Sequence, residues 1–429
     1  MKKLLSLLHV GGLVLCFSHP AFSQETNQEI LNELKQLKEQ IAAQQKQMQA
    51  QQTLIEKLSA KVEATRKQQS DNQSAPLKTE TPKTSVAQNS TETRSFGPIK
   101  YNVAGSGFQR MLPDISVIAN TSAAYYSENP SGQAEDDPEK TGFNLTEIEM
   151  AIQSIIDPYF KADIFLSFNP EGVEIEEAYA TTTSLPTGLQ VRAGKFKLPF
   201  GRQNQKHPHA WSFTDNPLVN TDLLGPEGGL NEVGLEISYL FPTPFFLQVQ
   251  GTMSNGDNEN NFNSDLRKDF LYQTRLSSSV DLSDETTLLF GASQAWGNND
   301  TQRLTGLYGG DFLLKWKARA NRSLTWQSEY MARRRDNVAG TDTDHGFYSY
   351  VDYQFLKRWH AGLRYDYLGF GSDTLEKQYR ITPALTFTPT EFSLLRLQYD
   401  YNKTLNEDAV NAVFLQMQYN LGPHGAHAF

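Results

Sequence analysis

Residues 147–168 read EIEMAIQSIIDPYFKADIFLSF, and this stretch decides the fold class. On both sides of Asp157-Pro158 the side chains alternate between apolar and polar, with Ile148 and Ile152 on the apolar face of the first run. A period of two is the pattern of a half-buried β-strand, and an Asp-Pro pair between two such runs marks a turn. The stretch therefore predicts two antiparallel strands joined by a tight turn.

The same pattern continues through residues 101–429 and gives sixteen candidate strands. They begin near residues 114, 143, 159, 173, 188, 231, 245, 268, 286, 305, 323, 345, 359, 378, 391 and 409. Tight turns alternate with connections that are mostly longer and polar, which is typical of outer-membrane barrels with turns in the periplasm and loops outside. We therefore predict an all-β transmembrane barrel of about 16 antiparallel strands, with a soluble β-sandwich or propeller as the alternative.

The composition agrees with a barrel and argues against other classes of protein. Mean hydropathy is −0.53, and no apolar run beyond the N-terminus is long enough for a transmembrane helix. The net charge of −10 argues against a nucleic-acid partner. The single cysteine, Cys16, offers the rest of the chain no disulfide and no thiolate metal site. Nucleophile–base constellations and nucleotide fingerprints are absent, so we predict neither an enzyme nor a cofactor.

Residues 1–23 have the pattern of a signal peptide. Lys2 and Lys3 precede an apolar run, and a small-x-small cleavage site ends at Ser23. The alternative is a lipoprotein signal that ends at Cys16, but Leu15 stands where a small residue is needed. Export predicts an envelope location for the mature chain.

Residues 24–67 carry a sustained heptad and predict a coiled coil in the periplasm. One apolar seam consists of Leu34, Ile41, Met48, Ile55 and Val62. A solvated single helix is the alternative, because the flanking positions are rich in Gln, Glu and Lys. Residues 68–100 are mostly Ser, Thr, Asn, Gln and Pro and predict a flexible linker, and residues 101–429 form the barrel.

Residues 188–211, GLQVRAGKFKLPFGRQNQKHPHAW, lead from a strand into 199–230, a long segment without a strand pattern. We expect this segment to fold into the barrel and narrow the pore, because charges on an inward loop set the selectivity of a channel. The alternative is an exposed loop whose charges face water. The pore and constriction candidates are Arg192, Lys195, Lys197, Arg202, Lys206, Asp215, Asp222 and Glu227. Further candidate cations of the lumen are Lys161, Arg275, Arg333 and Arg364.

Strand alternation restricts the candidates at the start of this segment. Arg192 shares a face with Gly194 and Phe196, whereas Lys195 and Lys197 continue the opposite, apolar face. Only a bulge, or an early departure from the sheet, would bring all three cations into the pore.

Acidic residues also lie on or near the polar faces of neighbouring strands. They are Glu147, Glu149, Asp163, Glu174 and Glu176. They could pair with cations of the lumen or form a patch that favours cations. Residues 100–429 hold 27 basic and 40 acidic residues, which opposes an anion preference.

Two histidine pairs are possible metal ligands. They are His207 with His209 and His424 with His427, and imidazole nitrogen is a good ligand for zinc and similar ions. Neither pair has an obvious carboxylate or cysteine nearby in the sequence to complete a site. The alternative for His207 and His209 is packing against Trp211 within a structured loop.

Several of these features together resemble the phosphate-selective porin (O and P) superfamily of Gram-negative outer membranes. The resemblance is carried by the signal peptide, the coiled coil, the strand count and the AGKFKLPFG segment at 193–201. The chain looks most like a poorly characterised branch with three internal motifs and a GPHxAH C-terminus (422–427). The internal motifs are EEAY at 176–179, KFK at 195–197 and HxHAW at 207–211. The resemblance implies a trimeric passive diffusion pore, phosphate-selective in some members through lysines and arginines of the lumen.

These observations predict an outer-membrane porin for small hydrophilic or ionic solutes, with anions such as phosphate among the candidates. The expected partners are two further copies of the chain, outer-membrane lipid and, through the coiled coil, peptidoglycan. One alternative is a binding or uptake receptor for a metal or another solute. The other is a structural envelope tether, with the barrel as its anchor.

Overall fold

The computed structural model describes Lys35 and residues 113–422 except 129–136, 139, 171, 226–227, 264–268 and 320. The predicted signal peptide, coiled coil and linker lie outside the described residues apart from Lys35, as do Glu227, His424 and His427. No helix in the described part of the chain is long and apolar enough to cross a membrane.

Sixteen antiparallel strands close into one barrel, in which each strand pairs with its neighbours in sequence and β1 pairs with β16. The strands are β1 Asp114–Tyr126, β2 Gly142–Ile155, β3 Phe160–Asn169, β4 Gly172–Thr182, β5 Leu189–Lys197, β6 Asn231–Leu240, β7 Phe246–Ser254, β8 Leu271–Ser283, β9 Thr286–Asn298, β10 Leu304–Arg319, β11 Arg322–Asp336, β12 Thr341–Leu356, β13 Trp359–Leu368, β14 Gln378–Thr390, β15 Ser393–Thr404 and β16 Ala409–Leu421. Each begins within four residues of its predicted start. The prediction of a sixteen-strand antiparallel barrel is thus confirmed.

The faces of the barrel wall are inverted relative to those of a soluble protein. On β15 the outward residues Leu395, Leu397 and Tyr399 are exposed, whereas the inward residues Arg396 and Gln398 are buried. Apolar side chains outside and polar side chains inside are the pattern of a barrel surrounded by lipid. The alternation read from the sequence therefore corresponds to two real faces.

The connections differ in length between the two ends of the barrel. At one end the turns are short, spanning 156–159, 183–188, 241–245, 284–285, 320–321, 357–358 and 391–392. At the other end they are mostly longer, spanning 127–141, 170–171, 198–230, 255–270, 299–303, 337–340, 369–377 and 405–408. We refer to these as the short-turn end and the long-loop end. Because the strand number is even, both barrel termini lie at the short-turn end.

The contact between β4 and β5, which we call the β4–β5 seam, is the shortest strand pairing in the described barrel. It has four residue pairs, from Thr181↔Arg192 to Ala178↔Lys195. Gly194 lies in this contact with φ 138°, and a Cβ there would approach Ala178 O to 2.1 Å. Beyond Lys195 the two strands separate toward the long-loop end.

A bulge in β4 lies beside the opened part of the seam. The register against β3 shifts so that Phe165 pairs with Glu177 and Leu166 with Ile175, which leaves Glu176 as the extra residue. A bulge lets two consecutive side chains reach the same side of a sheet. Both Glu176 and Glu177 are accordingly buried.

Residues 198–230, which we call the inner loop, enter the barrel and pack against its inner wall. The loop contains a 3-10 turn at Pro208–Ala210 and a short helix, α1, at Leu218–Leu224. Its apolar side chains join wall residues in one buried cluster. The main members from the loop are Leu198, Phe200, Phe213, Leu218, Val219, Leu223, Leu224 and Leu230, and those from the wall include Leu307, Met331, Tyr348 and Leu368. Burial of this apolar surface stabilises the loop inside the barrel.

Candidate functional site: the inner loop and the walls that it contacts

The start of the inner loop is held by β9 and β11. Gly201 N donates to Ser293 Oγ at 3.1 Å, and Glu329 Oε1 accepts from the backbone nitrogens of Arg202 (2.9 Å) and Gln203 (2.7 Å). Tyr348 also donates its hydroxyl to Glu329 Oε1, at 2.7 Å. One buried carboxylate therefore fixes the first turn of the loop in the interior.

Asp215 holds the middle of the loop to the wall formed by β13, β14 and β15. Its carboxylate binds Arg364 Nη2 at 2.6 Å, Arg380 Nη1 and Gln398 Nε2. Burial alone would raise the pKa of Asp215, but the charges of Arg364 and Arg380 outweigh burial and lower it. Asp215 is thus a tether whose charge is neutralised, rather than part of an acidic row facing the pore.

Asp222 lies on α1, in the acidic half of the loop. Burial raises its pKa to about 6, although the positive charges of Arg380 and Arg333 act in the opposite direction. Its protonation state therefore changes close to neutral pH.

Most candidate cations of the wall are bound to carboxylates. Arg192 pairs with Glu236 at 2.6 Å, Arg275 with Asp311 at 2.7 Å, Arg333 with Asp344 at 2.7 Å and Lys161 with Asp163 at 3.0 Å. The side chains of Arg275 and Arg333 are buried, that of Arg192 is partly buried and that of Lys161 is the most exposed of the four. Each pair uses one basic and one acidic residue, so these pairs leave the acidic excess of the sequence unchanged.

Arg202 and Lys206 differ from those cations. Within the described part of the chain neither forms an ion pair, and Lys206 Nζ donates instead to Gln327 Oε1 at 3.2 Å. Burial and the positive charge of Arg202 lower the pKa of Lys206 to about 8, against the attraction of Glu329. The positive charges of Arg202 and Lys206 also interact electrostatically with the Lys315 side chain of β10. The three side chains place positive charge together along one wall of the interior.

The two lysines of the KFK motif lie on opposite sides of the wall. Lys195 pairs in the sheet with Val233, whose side chain is exposed on the outer face, and it binds Glu174 at 3.1 Å. Lys197 is buried and binds Glu176 at 2.9 Å, because β5 leaves β4 before it reaches this residue. Lys195 therefore does not line the interior, whereas Lys197 does. The early departure from the sheet is one of the two routes that strand alternation left open.

Six residues near the opened seam form what we call the carboxylate–histidine cluster: Glu147, Glu149, Glu176, Glu177, His207 and His209. All six are buried. His207 Nδ1 lies 2.6 Å from Glu149 Oε2 and 2.9 Å from Glu176 Oε2, while its Nε2 lies 2.6 Å from Glu177 Oε1. His209 Nδ1 lies 3.2 Å from Glu149 Oε2. The histidines come from the inner loop, and the carboxylates come from β2 and β4.

The protonation of His207 follows from these contacts. Burial opposes a charged imidazole, but Glu176 and Glu149 outweigh burial and raise the pKa of His207 well above its ordinary value. In the absence of a metal ion the ring is therefore an imidazolium that donates from both nitrogens.

The carboxylates of this cluster are the residues that sequence reasoning failed to connect with the histidines. Glu149 and Glu176 lie far from His207 along the chain, so local spacing gives no sign of a shared site. Alternation did place Glu147 and Glu149 on the polar face of β2. The bulge that turns both Glu176 and Glu177 inward had no clear signature. The three internal motifs of the resemblance each contribute to this one region.

No protein-family model matches the chain. Among solved structures, the barrel is similar to the anion-selective porin from Comamonas acidovorans, with a TM-score of 0.52 and 11% identity over 72% of this chain and 99% of that chain. It is also similar to the outer membrane channel DcaP of Acinetobacter baumannii, with a TM-score of 0.50 and 13% identity over 72% of this chain and 97% of that chain. At these identities the likeness shows the fold alone.

One relative is similar in sequence along most of its length. It is an uncharacterised protein of Aquifex aeolicus, 31% identical over 389 residues, which covers 77% of this chain and 82% of that protein. The chain described here has the closed sixteen-strand barrel fold of outer-membrane porins. Its sequence identity shows that it belongs to the same family as the Aquifex aeolicus protein.

Proposed function

We propose that the protein is a passive diffusion pore in the outer membrane of a Gram-negative cell, through which small hydrophilic or ionic solutes pass. The observation that carries this proposal is the inner loop, which is held to the inner wall of a closed barrel by Glu329 and Asp215. A loop fixed in the lumen narrows the path through the barrel, and it presents fixed charges to a passing ion. Such a pore needs no reaction chemistry, so we do not propose an enzyme.

We further propose that the constriction prefers anions. Arg202 and Lys206 stand near Lys315 and have no carboxylate ion partner in the described part of the chain, whereas Arg192, Arg275 and Arg333 are neutralised by their partners. Phosphate is a suitable solute, because an Arg fork and Lys point charges both bind phosphate oxygens.

Planar-bilayer recording tests both proposals. In a salt gradient, the reversal potential of the wild-type channel is expected to have the sign of an anion-selective pore. Arg202→Ala and Lys206→Ala should each shift that potential toward zero, and the double variant should shift it further. Lys377→Ala is the matched control, because Lys377 is exposed on a long connection, and it should leave the potential unchanged.

Two outcomes would contradict the proposals in different ways. A channel whose selectivity is insensitive to Arg202 and Lys206 would exclude these residues as the source of anion preference. A barrel that conducts no ions would exclude the pore and favour the binding or uptake receptor, for which the carboxylate–histidine cluster is the supporting observation.

A further inference from the structure

The carboxylate–histidine cluster brings an excess of negative charge into the barrel interior. Of its four carboxylates, Glu176 is bound by a lysine, Lys197 Nζ, at 2.9 Å. Burying carboxylates is costly, so their charge must be balanced by nearby cations, by protons within the cluster or by a bound metal ion. A divalent cation that replaces one imidazolium proton makes the cluster less negative by one charge.

Glu149 lies at the centre of the cluster. Its Oε2 atom is buried and makes no hydrogen bond of acceptable geometry, although His207 Nδ1 and His209 Nδ1 lie 2.6 Å and 3.2 Å away. Glu149 belongs to two groups of three potential ligands whose donor atoms lie within 4.8 Å of one another, one with Glu176 and His207 and the other with Glu147 and His209. A buried carboxylate oxygen on which two imidazole nitrogens converge is an arrangement in which a metal ion can replace the protons between them.

Glu177 makes the first group the stronger candidate. Its Oε1 atom contacts His207 Nε2 at 2.6 Å, and its Oε2 atom accepts from Lys197 N at 2.9 Å. A metal-bound histidine ordinarily donates its other N–H to a carboxylate, which fixes the tautomer and the orientation of the ring. With Nε2–H held by Glu177, the other nitrogen, Nδ1, points at Glu149 and Glu176.

We propose that the cluster binds one divalent transition-metal ion, with His207 Nδ1, Glu149 and Glu176 as its protein ligands and Glu177 as the carboxylate that orients His207. The imidazole and carboxylate ligands suit zinc and neighbouring metals, whereas calcium and magnesium prefer oxygen alone. Binding displaces the proton from Nδ1 of His207. The observed spacings of 2.6–2.9 Å need only a small expansion to surround an ion with metal–ligand bonds of about 2.0–2.2 Å.

The ion would join parts of the barrel that the backbone does not join. His207 belongs to the inner loop, Glu149 to β2 and Glu176 to the bulge of β4. A metal bound by all three would therefore fix the loop to the wall beside the opened seam.

Isothermal titration calorimetry of the full-length, detergent-solubilised protein tests this inference. After treatment with EDTA and removal of the chelator, titration with zinc chloride should give one site per chain. His207→Gln and Glu149→Gln should abolish that site, while Glu177→Gln should weaken it by about 10- to 100-fold. His209→Gln should have a smaller effect than His207→Gln.

His360→Gln is the matched control, because His360 Nδ1 also contacts a carboxylate, Asp352 Oδ1, at 2.8 Å, but outside the cluster. It should bind zinc as the wild type does. Cobalt provides a second, spectroscopic readout: visible d–d absorption should appear in the wild type and His360→Gln and be lost in His207→Gln.

Three results would overturn the inference. Wild-type protein that binds no zinc would show that the cluster is not a metal site. Zinc binding that survives both His207→Gln and Glu149→Gln would place the ion elsewhere, and a larger effect of His209→Gln would assign it to the group with Glu147. None of these measurements depends on conductance, so they stand apart from the tests of the pore.

Discussion

Asp215 holds the middle of the inner loop to three strands of the wall. It is buried, and its carboxylate contacts Arg364, Arg380 and Gln398 from three strands. Removing one partner of a buried ion pair leaves the other charge uncompensated, which typically costs about 3–5 kcal/mol. We expect Asp215→Asn to lower the free energy of unfolding by about this amount, as measured by denaturant titration in lipid vesicles.

The comparison variant for this experiment is Asp336→Asn. Asp336 contacts Arg334 at 3.7 Å, and the Arg334 side chain is 62% exposed, so solvent screens the pair. Its loss should change the free energy of unfolding by less than about 1 kcal/mol. Equal effects of the two substitutions would show that Asp215 does not anchor the loop.

We predict that Asp222 makes the ion selectivity of the proposed channel depend on pH. Because burial raises its pKa to about 6, the side chain is charged at neutral pH and becomes neutral as the pH falls through this value. Loss of that negative charge leaves Arg380 and Arg333 less balanced, so the interior becomes more positive. We expect the anion preference of the wild-type channel to rise on acidification through pH 6, as measured by reversal potential.

Asp222→Asn supplies the control for this pH dependence. The amide is uncharged at every pH, so the variant should show the higher anion preference already at neutral pH and should lose the step near pH 6. If the reversal potential of Asp222→Asn changes near pH 6 by as much as that of the wild type, the titration belongs to another group.

At the scale of the elements, the sequence was most informative about the strands. Alternation and turn residues located all sixteen starts within four residues, since each strand has one face toward the apolar outside and one toward the interior. The same rule separated Arg192 from Lys195, which lies on the outer face. Lys197 departs from the rule because β5 separates from β4, and this separation is a tertiary feature that the local sequence does not encode.

The inner loop was predicted in its position but only partly in its contacts. The lack of a strand pattern in 199–230 indicated an unusual connection, and Phe200, Phe213 and Leu218 could have suggested a buried one. The ion pairs that hold the loop could not be predicted from the sequence. Asp215 and Arg380 are 165 residues apart, and they are brought together only by closure of the whole barrel. The carboxylate–histidine cluster was missed for the same reason.

For the assembly of the protein, we predict a homotrimer. This prediction rests on the porin-type barrel and on the heptad of residues 24–67, which remains a prediction because it lies outside the described residues. Native mass spectrometry of the detergent-solubilised protein should give three chains per particle. In bilayer recordings, the conductance of one particle should fall in three equal steps.

A variant without residues 24–67 separates the contributions of the two regions to this assembly. If the coiled coil ties the trimer together, its removal should lower the temperature at which trimers dissociate while leaving the conductance of each barrel unchanged. A monomeric mass for the full-length protein would contradict the assembly altogether.

The β4–β5 seam has a consequence for the order in which the barrel is completed. Four residue pairs join these strands, against ten between β1 and β16, so the terminal strands are not the weakest line of closure. Toward the long-loop end the gap is bridged by side chains, with Lys197 and His207 bound to carboxylates of β4. Because His207 belongs to the inner loop, its part of this bridge can form only after the loop has entered the lumen. Backbone amide protons of the β4–β5 seam should therefore be the first in the wall to exchange with deuterium. Local opening of the barrel should begin between β4 and β5 rather than between the terminal strands β1 and β16.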